Sequence, residues 1–491
     1  MDAPLSGLMD LDLHAHSGVP LTQQLYDQMR RAILDGTLVP GSRLPSSRDL
    51  ARHLRVSRNT VSVAIEQLAM EGYLEVAQSR RPTVASASAP PLATGRVQSR
   101  MPAMPSAAAR GSRWAQRLGT AEWPFMNEGR PRPFLPCPSD ARPFPHDVWA
   151  RCLRRAARLA LAPHIPAANS PALQAALLSH LAEHRGVKAQ ARQVLILPSA
   201  QAGIELIARV LLDDGDVAWI EDPGYGGGRA ALASAGADVR GVPLDEGGLN
   251  FQSRPDRPQV IFVTPSHQYP TGRLMPVGRR QELLAFAART GAAIIEDDYD
   301  SEFHYDARAV AALQGLDSTG SVFYVGTFSK SMLAEIRSGY IVVPAPMVAL
   351  FEKAQRHGGQ IVAATLQDAL AHFITDGHFA AHVRKMTRLY RGRRDRLVAA
   401  LAKVGGPALT IVPPAGGMQL LLPLDPRCDD VEVAARLAEA GVTARPLSRH
   451  FIGEITARGL FLGFAAWNDA EIDTGVDLIG KVLREMDLIG P

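Results

Sequence analysis

Lys330 lies in the stretch GTFSKSMLAEIRSGY, and it is one of only six lysines in a chain whose other 47 basic side chains are arginines. A primary amine forms Schiff bases and a guanidinium does not, so a lysine kept against that drift is a candidate for covalent chemistry. Residues suited to serve it surround it in sequence. In LILPSAQAGIELI, Ser199, Ala200 and Gln201 follow an apolar run and open a helical pattern, where backbone N–H groups and side-chain donors would hold a phosphate. Tyr225 in EDPGYGGG is flanked by glycines and could cover a flat ring. Asp297 in IIEDDYDSEF could keep a pyridinium nitrogen protonated, and Tyr299 could hydrogen-bond a phenolic oxygen of the same ring. Thr327 and Ser329 suit a phosphate, and Arg337, seven residues past Lys330, suits its counter-charge. Taken singly these are common features: a serine turn is usually a helix cap, and a run of carboxylates a solvated strand end. Their order, with Asp297 and Lys330 33 positions apart, is not common.

Such side chains need strand ends to converge on them. The runs QVLILP, DVAWIEDP, QVIFVTP, AAIIEDD, SVFYVGT and SGYIVVP read as buried strands, with AGIELIARVLL and RRQELLAFAART as helices between some of them. That alternation predicts an α/β body with a large, mainly parallel sheet, and ligand chemistry at the carboxyl ends of its strands.

The front of the chain reads differently. Leu25, Met29 and Ile33 recur at four-residue intervals and stop at Gly36. Ser46 or Ser47 would cap a second helix carrying Leu50 and Leu54. Ser57 would cap a third, with Val61, Ala64, Ile65 and Leu68 as its buried stripe. YLEVAQSRRPTVAS alternates as a small hairpin does. Two short helices and a tight turn followed by a hairpin make a winged helix-turn-helix. On that reading Ser57, Arg58, Asn59, Thr60 and Ser62 face base edges, and Arg48, Arg80 and Arg81 face phosphates or the minor groove. A three-helix docking module with a polar face would show the same periodicity.

Charge follows this division. Leu21–Val84 carries nine arginines against six acids, and the next 37 residues carry five arginines and no acid. Those 37 residues also hold ten alanines, five serines and four prolines, too little apolar bulk for a core, so they read as a linker. The expected divisions are a tail over 1–18, a winged helix-turn-helix over 19–85, a linker over 86–122 and a large domain over 123–491. Cys137, Cys152 and Cys428 show no CxxC spacing, which argues against a disulfide framework or a zinc site. No apolar run reaches membrane-spanning length and no leader is apparent, so a cytoplasmic protein is expected.

Resemblance sharpens these expectations. PLTQQLYDQMRRAILDGTLVPGSRLPSSRDLARHLRVSRNTVSVAIEQLAMEGYLE resembles the GntR-type winged helix. TPSHQYPTG, EDDYDSEFHYD, GTFSK, IRSGY and HVRKMTRLYRGRRDRL resemble fold type I, class I aminotransferases. The whole chain is similar to MocR/GabR-type transcriptional regulators. The resemblance implies pyridoxal 5'-phosphate as cofactor, joined as a Schiff base to Lys330. It would be held by Ser199, Ala200, Gln201, Tyr225, Tyr269, Asp297, Tyr299, Thr327, Ser329 and Arg337. It implies double-stranded operator DNA as a partner, an effector that is an amine, an amino acid or the cofactor itself, and a head-to-tail homodimer.

The sequence departs from the enzyme pattern at several positions. Tyr269 stands where aminotransferases have asparagine, Phe461 where they have a carboxylate-binding arginine, Gln174 where they have another arginine, and Glu335 where proline is common. The wing, QSRRPTVA, lacks the glycine-bearing turn usual in GntR heads. These departures favour a sensor with at most residual transaminase activity over a working aminotransferase with an accessory head. Retention of Asp297, Tyr299, Thr327, Lys330 and Arg337 argues against a decayed pocket.

Overall fold

The apolar stripes identified above become the cores of two separate units in a computed structural model. It describes residues 11–14, 18–77, 80–85, 111–120, 132–136, 138–159, 167–306 and 310–490. The chain divides into Met1–Ser106 and Ala107–Pro491. Most of the 1–18 tail, Gln78 and Ser79 of the wing, residues 86–110 of the linker and Cys137 lie outside the described residues.

In the first unit, α1 (Leu21–Leu34), α2 (Ser47–Leu54) and α3 (Arg58–Met70) pack through Leu25, Met29, Ile33, Leu50, Val61, Ala64, Ile65 and Leu68, all buried. Each of these side chains except Ala64 contributes roughly 1.5–3 kcal/mol through its burial. Ser46 Oγ accepts from Asp49 N at 3.2 Å and Ser57 Oγ from Thr60 N at 3.0 Å, so both helices begin at serine caps. The hairpin pairs β1 (Leu74–Glu75) with β2 (Thr83–Val84). Arg43 forms an isolated antiparallel bridge to Thr83, beside the two-stranded wing.

The second unit opens with α4 (Arg113–Thr120), inside the segment read as linker. Arg117 Nη2 lies 2.6 Å from Asp214 Oδ1, and its Nη1 donates to Ser234 O at 3.3 Å. The end of that segment is therefore a helix tied to the large unit. After α5 (Pro171–Arg185) comes β3 (Val194–Leu197), then α6 (Ala200–Leu211), β4 (Val217–Asp222) and α7 (Gly226–Ala235). β5 (Asp238–Asp245), β6 (Gly248–Leu249), β7 (Val260–Val263), β8 (Ala293–Asp297), β9 (Val322–Thr327), α8 (Phe328–Ser331) and β10 (Gly339–Val342) complete the sheet region.

These strands form one eight-stranded sheet in the order β3-β10-β9-β8-β7-β4-β5-β6. Strands β9, β8, β7, β4 and β5 are parallel, β10 runs antiparallel between β3 and β9, and β6 is antiparallel to β5. Every residue of β3, β7, β9 and β10 is buried, because helices cover both faces; unbroken apolar runs rather than alternation follow from that. The 28-residue α9 (His378–Gly405) leads to a smaller layer in which β11 (Gln419–Leu424), β13 (Arg458–Gly463) and β12 (Arg445–Pro446) form an antiparallel sheet. Helices Asp430–Glu439 and Asp469–Glu485 pack on it through Val433, Leu437, Ile472 and Val476.

Candidate functional site

Strand register brings the expected phosphate ligands to one level of the sheet. Gly339 pairs with Leu197 on one side and with Thr327 on the other. The chain thus leaves β3 into Ser199, leaves β9 into Thr327 and enters β10 from Arg337 at the same edge. Glycine is required at 339: a Cβ there would stand 2.6 Å from Ala200 N and 2.6 Å from Ser199 C. Ser199 caps α6, accepting from Ala202 N at 3.0 Å, and Thr327 caps α8, accepting from Ser329 N at 3.1 Å. Arg337 is exposed, makes no ion pair among the described residues, and has φ +47, a strained conformation for a side chain of its size.

The expected ring-binding residues lie beside this cradle. Tyr225 begins α7, stacks near Phe262 (6.2 Å) and donates to Gln201 Oε1 at 3.3 Å. Gly227 leaves room for that tyrosine, since a Cβ would meet its ring at 2.6 Å. Tyr269 is buried among Tyr225, Tyr299, His450 and Phe461, with ring centroids 5.2–6.1 Å away. Tyr299, expected to face a ring oxygen, donates to His267 O at 3.0 Å and accepts from Gln419 Nε2 at 3.2 Å.

Three consecutive acids at the end of β8 have three different surroundings. Glu296 accepts from Leu313 N and Gln314 N at 2.7 and 2.9 Å. Asp298 is held by the buried guanidinium of Arg185 (2.8 Å), by Ser301 (2.6 Å) and by Tyr324 (2.5 Å). Asp297 is 5 % exposed, and its Oδ1 has no hydrogen-bond partner. Burial first, then the charges of Asp298 and Asp300, push its acid up to about 8, against the opposing pull of Lys330. A buried carboxyl with one unpartnered oxygen, drawn on by the charge of Lys330, is a place for a protonated ring nitrogen. The uncompensated Arg337 and the glycine-lined cradle are places for a phosphate. The residues present therefore fit pyridoxal 5'-phosphate.

Asp297 also makes a measurable prediction. Its folded pKa lies above its ordinary value, so the folded chain binds the extra proton and loses stability as pH rises through the interval between them. The cofactor-free protein should melt at progressively lower temperature from about pH 6.5 to about pH 8, above the range in which His180, His304, His382 and His450, held near 4 by burial, act with the opposite sign. Asp297→Asn should flatten part of that slope, Glu221, Glu296 and Glu302 retaining the rest because burial raises them too. Cofactor should flatten it in the natural protein, and thermal melts across pH read all three.

Some neighbours lay in the quoted motifs but received no role from sequence. His267 Nδ1 donates to Asp300 Oδ1 at 2.7 Å, and Asp300 Oδ2 accepts from Met418 N at 3.2 Å, joining the turns after β7 and β8 to the start of β11. Glu221, wholly buried at the end of β4, accepts from Thr264 Oγ1 at 2.5 Å. Gln174 donates to Val194 O at 2.7 Å and so serves the backbone of β3. Phe461 is fully buried and pairs across the sheet with Arg445, whereas Arg449 is exposed. In the head, Arg48, Arg58, Asn59, Arg80 and Arg81 are exposed, and none of the four arginines is ion-paired among the described residues. Thr60 and Ser62 are half-buried, and the hydroxyls of Ser57 and Thr60 bond each other at 2.8 Å.

Both units match known families. Residues 144–479 match the family described as aminotransferase class I and II, and residues 21–84 match the bacterial regulatory proteins of the gntR family. The chain is 37% identical to the probable rhizopine catabolism regulatory protein MocR of Rhizobium meliloti, over 98% of this chain and 97% of that one. It is 34% identical to the HTH-type transcriptional regulator TauR of Rhodobacter capsulatus, over 94% and 96%. Among solved structures, a kynurenine aminotransferase of Pyrococcus horikoshii in complex with PMP superposes with a TM-score of 0.67 at 22% identity, over 77% of this chain and 95% of that one. With a gntR-family head, an aminotransferase class I and II body and end-to-end identity to MocR, the chain belongs to the MocR-type transcriptional regulators.

Proposed function

We propose that the protein is a pyridoxal-phosphate-dependent transcriptional regulator whose body senses a small amine, an amino acid or the cofactor itself and thereby alters operator binding by the winged-helix head. The observation that carries this reading is Lys330 beside the orphaned carboxyl of Asp297, in a chain that also presents Arg58 and Asn59 on a capped, exposed helix start. Bound in the body, the cofactor supplies an aldehyde carbon that exchanges between primary amines.

The chain's own residues do the rest. Backbone N–H groups at the start of α6, Ser199, Thr327 and Ser329 bind the phosphate, and Arg337 neutralises it. Asp297 Oδ1 would accept from a ring N–H and keep that proton on the nitrogen. Tyr225 would cover the ring, and the packed rings of Tyr269 and Phe461 would keep water from it. A buried phenylalanine at 461 supports sensing over turnover, because it gives a substrate carboxylate no cation there. We infer further that the protein acts in the cytoplasm as a head-to-tail homodimer on double-stranded DNA. Among the described residues no helix is long and apolar enough to cross a membrane.

The test is a mobility-shift titration on DNA from the protein's own promoter region, with cofactor-free protein, with loaded protein, and with loaded protein plus a panel of amines. Operator affinity or complex geometry should change with at least one addition; no change with any of them would sink the sensor reading. Arg58→Ala or Asn59→Ala should each cost about 1–3 kcal/mol of discrimination against a mutated operator. Arg80→Ala should weaken all DNA alike and reduce the salt slope by about one unit.

A further inference from the structure

A cavity of about 430 Å³ lies between α5, the turn after β8 and α9, and none of the residues assigned to the cofactor lines it. That is within the size range of pockets that enclose small metabolites. Leu181, Ala380 and Val383 give it an apolar wall. Arg185, Ser301 and Tyr324 also line it, but their polar groups are committed to Asp298. The remaining polar groups are Glu302 and His304 inside, the exposed Arg384 and Arg388 on α9, and His180 and His184 on α5, whose rings stack on each other at 4.4 Å.

The interior pair is unusual. Glu302 Oε2 and His304 Nε2 are both shielded from solvent and both lack a hydrogen-bond partner. An unsatisfied buried polar atom costs about 1–3 kcal/mol, and here two of them share one cavity. Burial pushes the Glu302 acid up to about 8 and, with the nearby charge of His267 and Arg185, pulls His304 down to about 4. Near neutral pH the cavity floor is therefore an uncharged acid beside an uncharged imidazole, able to donate and to accept. The rim is the opposite. Arg384 and Arg388 are exposed, one helical turn apart on α9, and neither is ion-paired among the described residues. Two uncompensated guanidinium groups at that spacing form an anion clamp.

We propose that this cavity is a second small-molecule site, separate from the cofactor site, that binds an organic anion. Its anionic group sits between Arg384 and Arg388, its apolar body lies against Leu181 and Val383, and an N–H or O–H at its far end meets Glu302 and His304. The proposal concerns binding alone and does not depend on the sensor reading.

The probe is 8-anilinonaphthalene-1-sulfonate, an aromatic anion with an N–H group, titrated by fluorescence into full-length protein already loaded with pyridoxal phosphate. Saturable binding at one site per chain is expected. Arg384→Ala with Arg388→Ala, both at exposed positions, should weaken it about tenfold or more. Thr387→Trp, which fills the cavity from a half-buried position on α9, should abolish it. Absence of saturable binding to the natural protein overturns the proposal. So does binding that neither the arginine pair nor the tryptophan alters, because the dye then lies elsewhere.

Discussion

Lys330→Ala should leave a protein that takes up pyridoxal phosphate yet shows no visible band of covalently held cofactor, and borohydride should fix nothing at position 330. The loss should be complete rather than graded. The chain has only five other lysines, and Lys330 is the cation whose charge opposes burial, Asp298 and Asp300 at Asp297. The phosphate cradle formed by Ser199, Thr327 and the register at Gly339 does not involve the lysine side chain, so non-covalent uptake should survive in weakened form. Lys330→Arg separates charge from chemistry. It keeps a cation facing Asp297 but offers no amine to a carbonyl, and should fail as completely as alanine. A visible band in either variant would assign the covalent role elsewhere. Absorption spectra and peptide mapping after reduction provide the measurement.

Arg185→Leu should destabilise the large unit by about 3–5 kcal/mol, measured by denaturant or thermal unfolding of the cofactor-free protein. Asp298 is fully buried, and Arg185 is its cationic partner at 2.8 Å, also donating to Ser266 Oγ at 2.5 Å and Val310 O at 2.8 Å. Arg185 holds Asp298 well below the usual carboxylate range, with Ser266, Ser301 and Tyr324 assisting, against the pull of burial. Removing the arginine alone strands a charge in the interior. Removing both charges, in Arg185→Leu/Asp298→Asn, should cost less than the single change, because an ion pair of this kind is weak evidence of net stability while a broken one is expensive. If the single and double variants unfold alike, Asp298 is stabilised mainly by its hydroxyl partners.

How far these contacts were legible beforehand depended on their range. The caps at Ser46 and Ser57 and the stripe from Val61 to Leu68 are local, and helix period alone exposes them. All six apolar runs in the body became strands, since short unbroken runs, five of them ending at Pro or Asp, leave little else to form. Pairing direction was not legible: β10 reads like its neighbours yet runs against both, because strand composition records burial and not orientation. The same limit hid Arg185–Asp298, 113 residues apart, and His267–Asp300, 33 apart. The EDD run was readable as strand-end acid, but nothing local tells which acid meets a guanidinium, which meets backbone, and which is left without a partner. Trp114 and Leu118, one helical turn apart in a segment dominated by Ala, Ser and Pro, were the available sign that its end would be a helix against the large unit.

The placement of β10 also sets an order of assembly during synthesis. β3 has one sheet partner, β10, and Leu197 waits for Gly339, 142 positions later in the chain. At roughly 5–20 residues per second, that delay is on the order of 7–30 seconds. Through it the wholly apolar segment Val194–Leu197 has left the ribosome without the strand that will shield it. The three chain segments that build the phosphate cradle meet only when that late strand slots in. A nascent chain thus has a complete DNA-reading head long before it can hold cofactor, and the rate of elongation sets that interval.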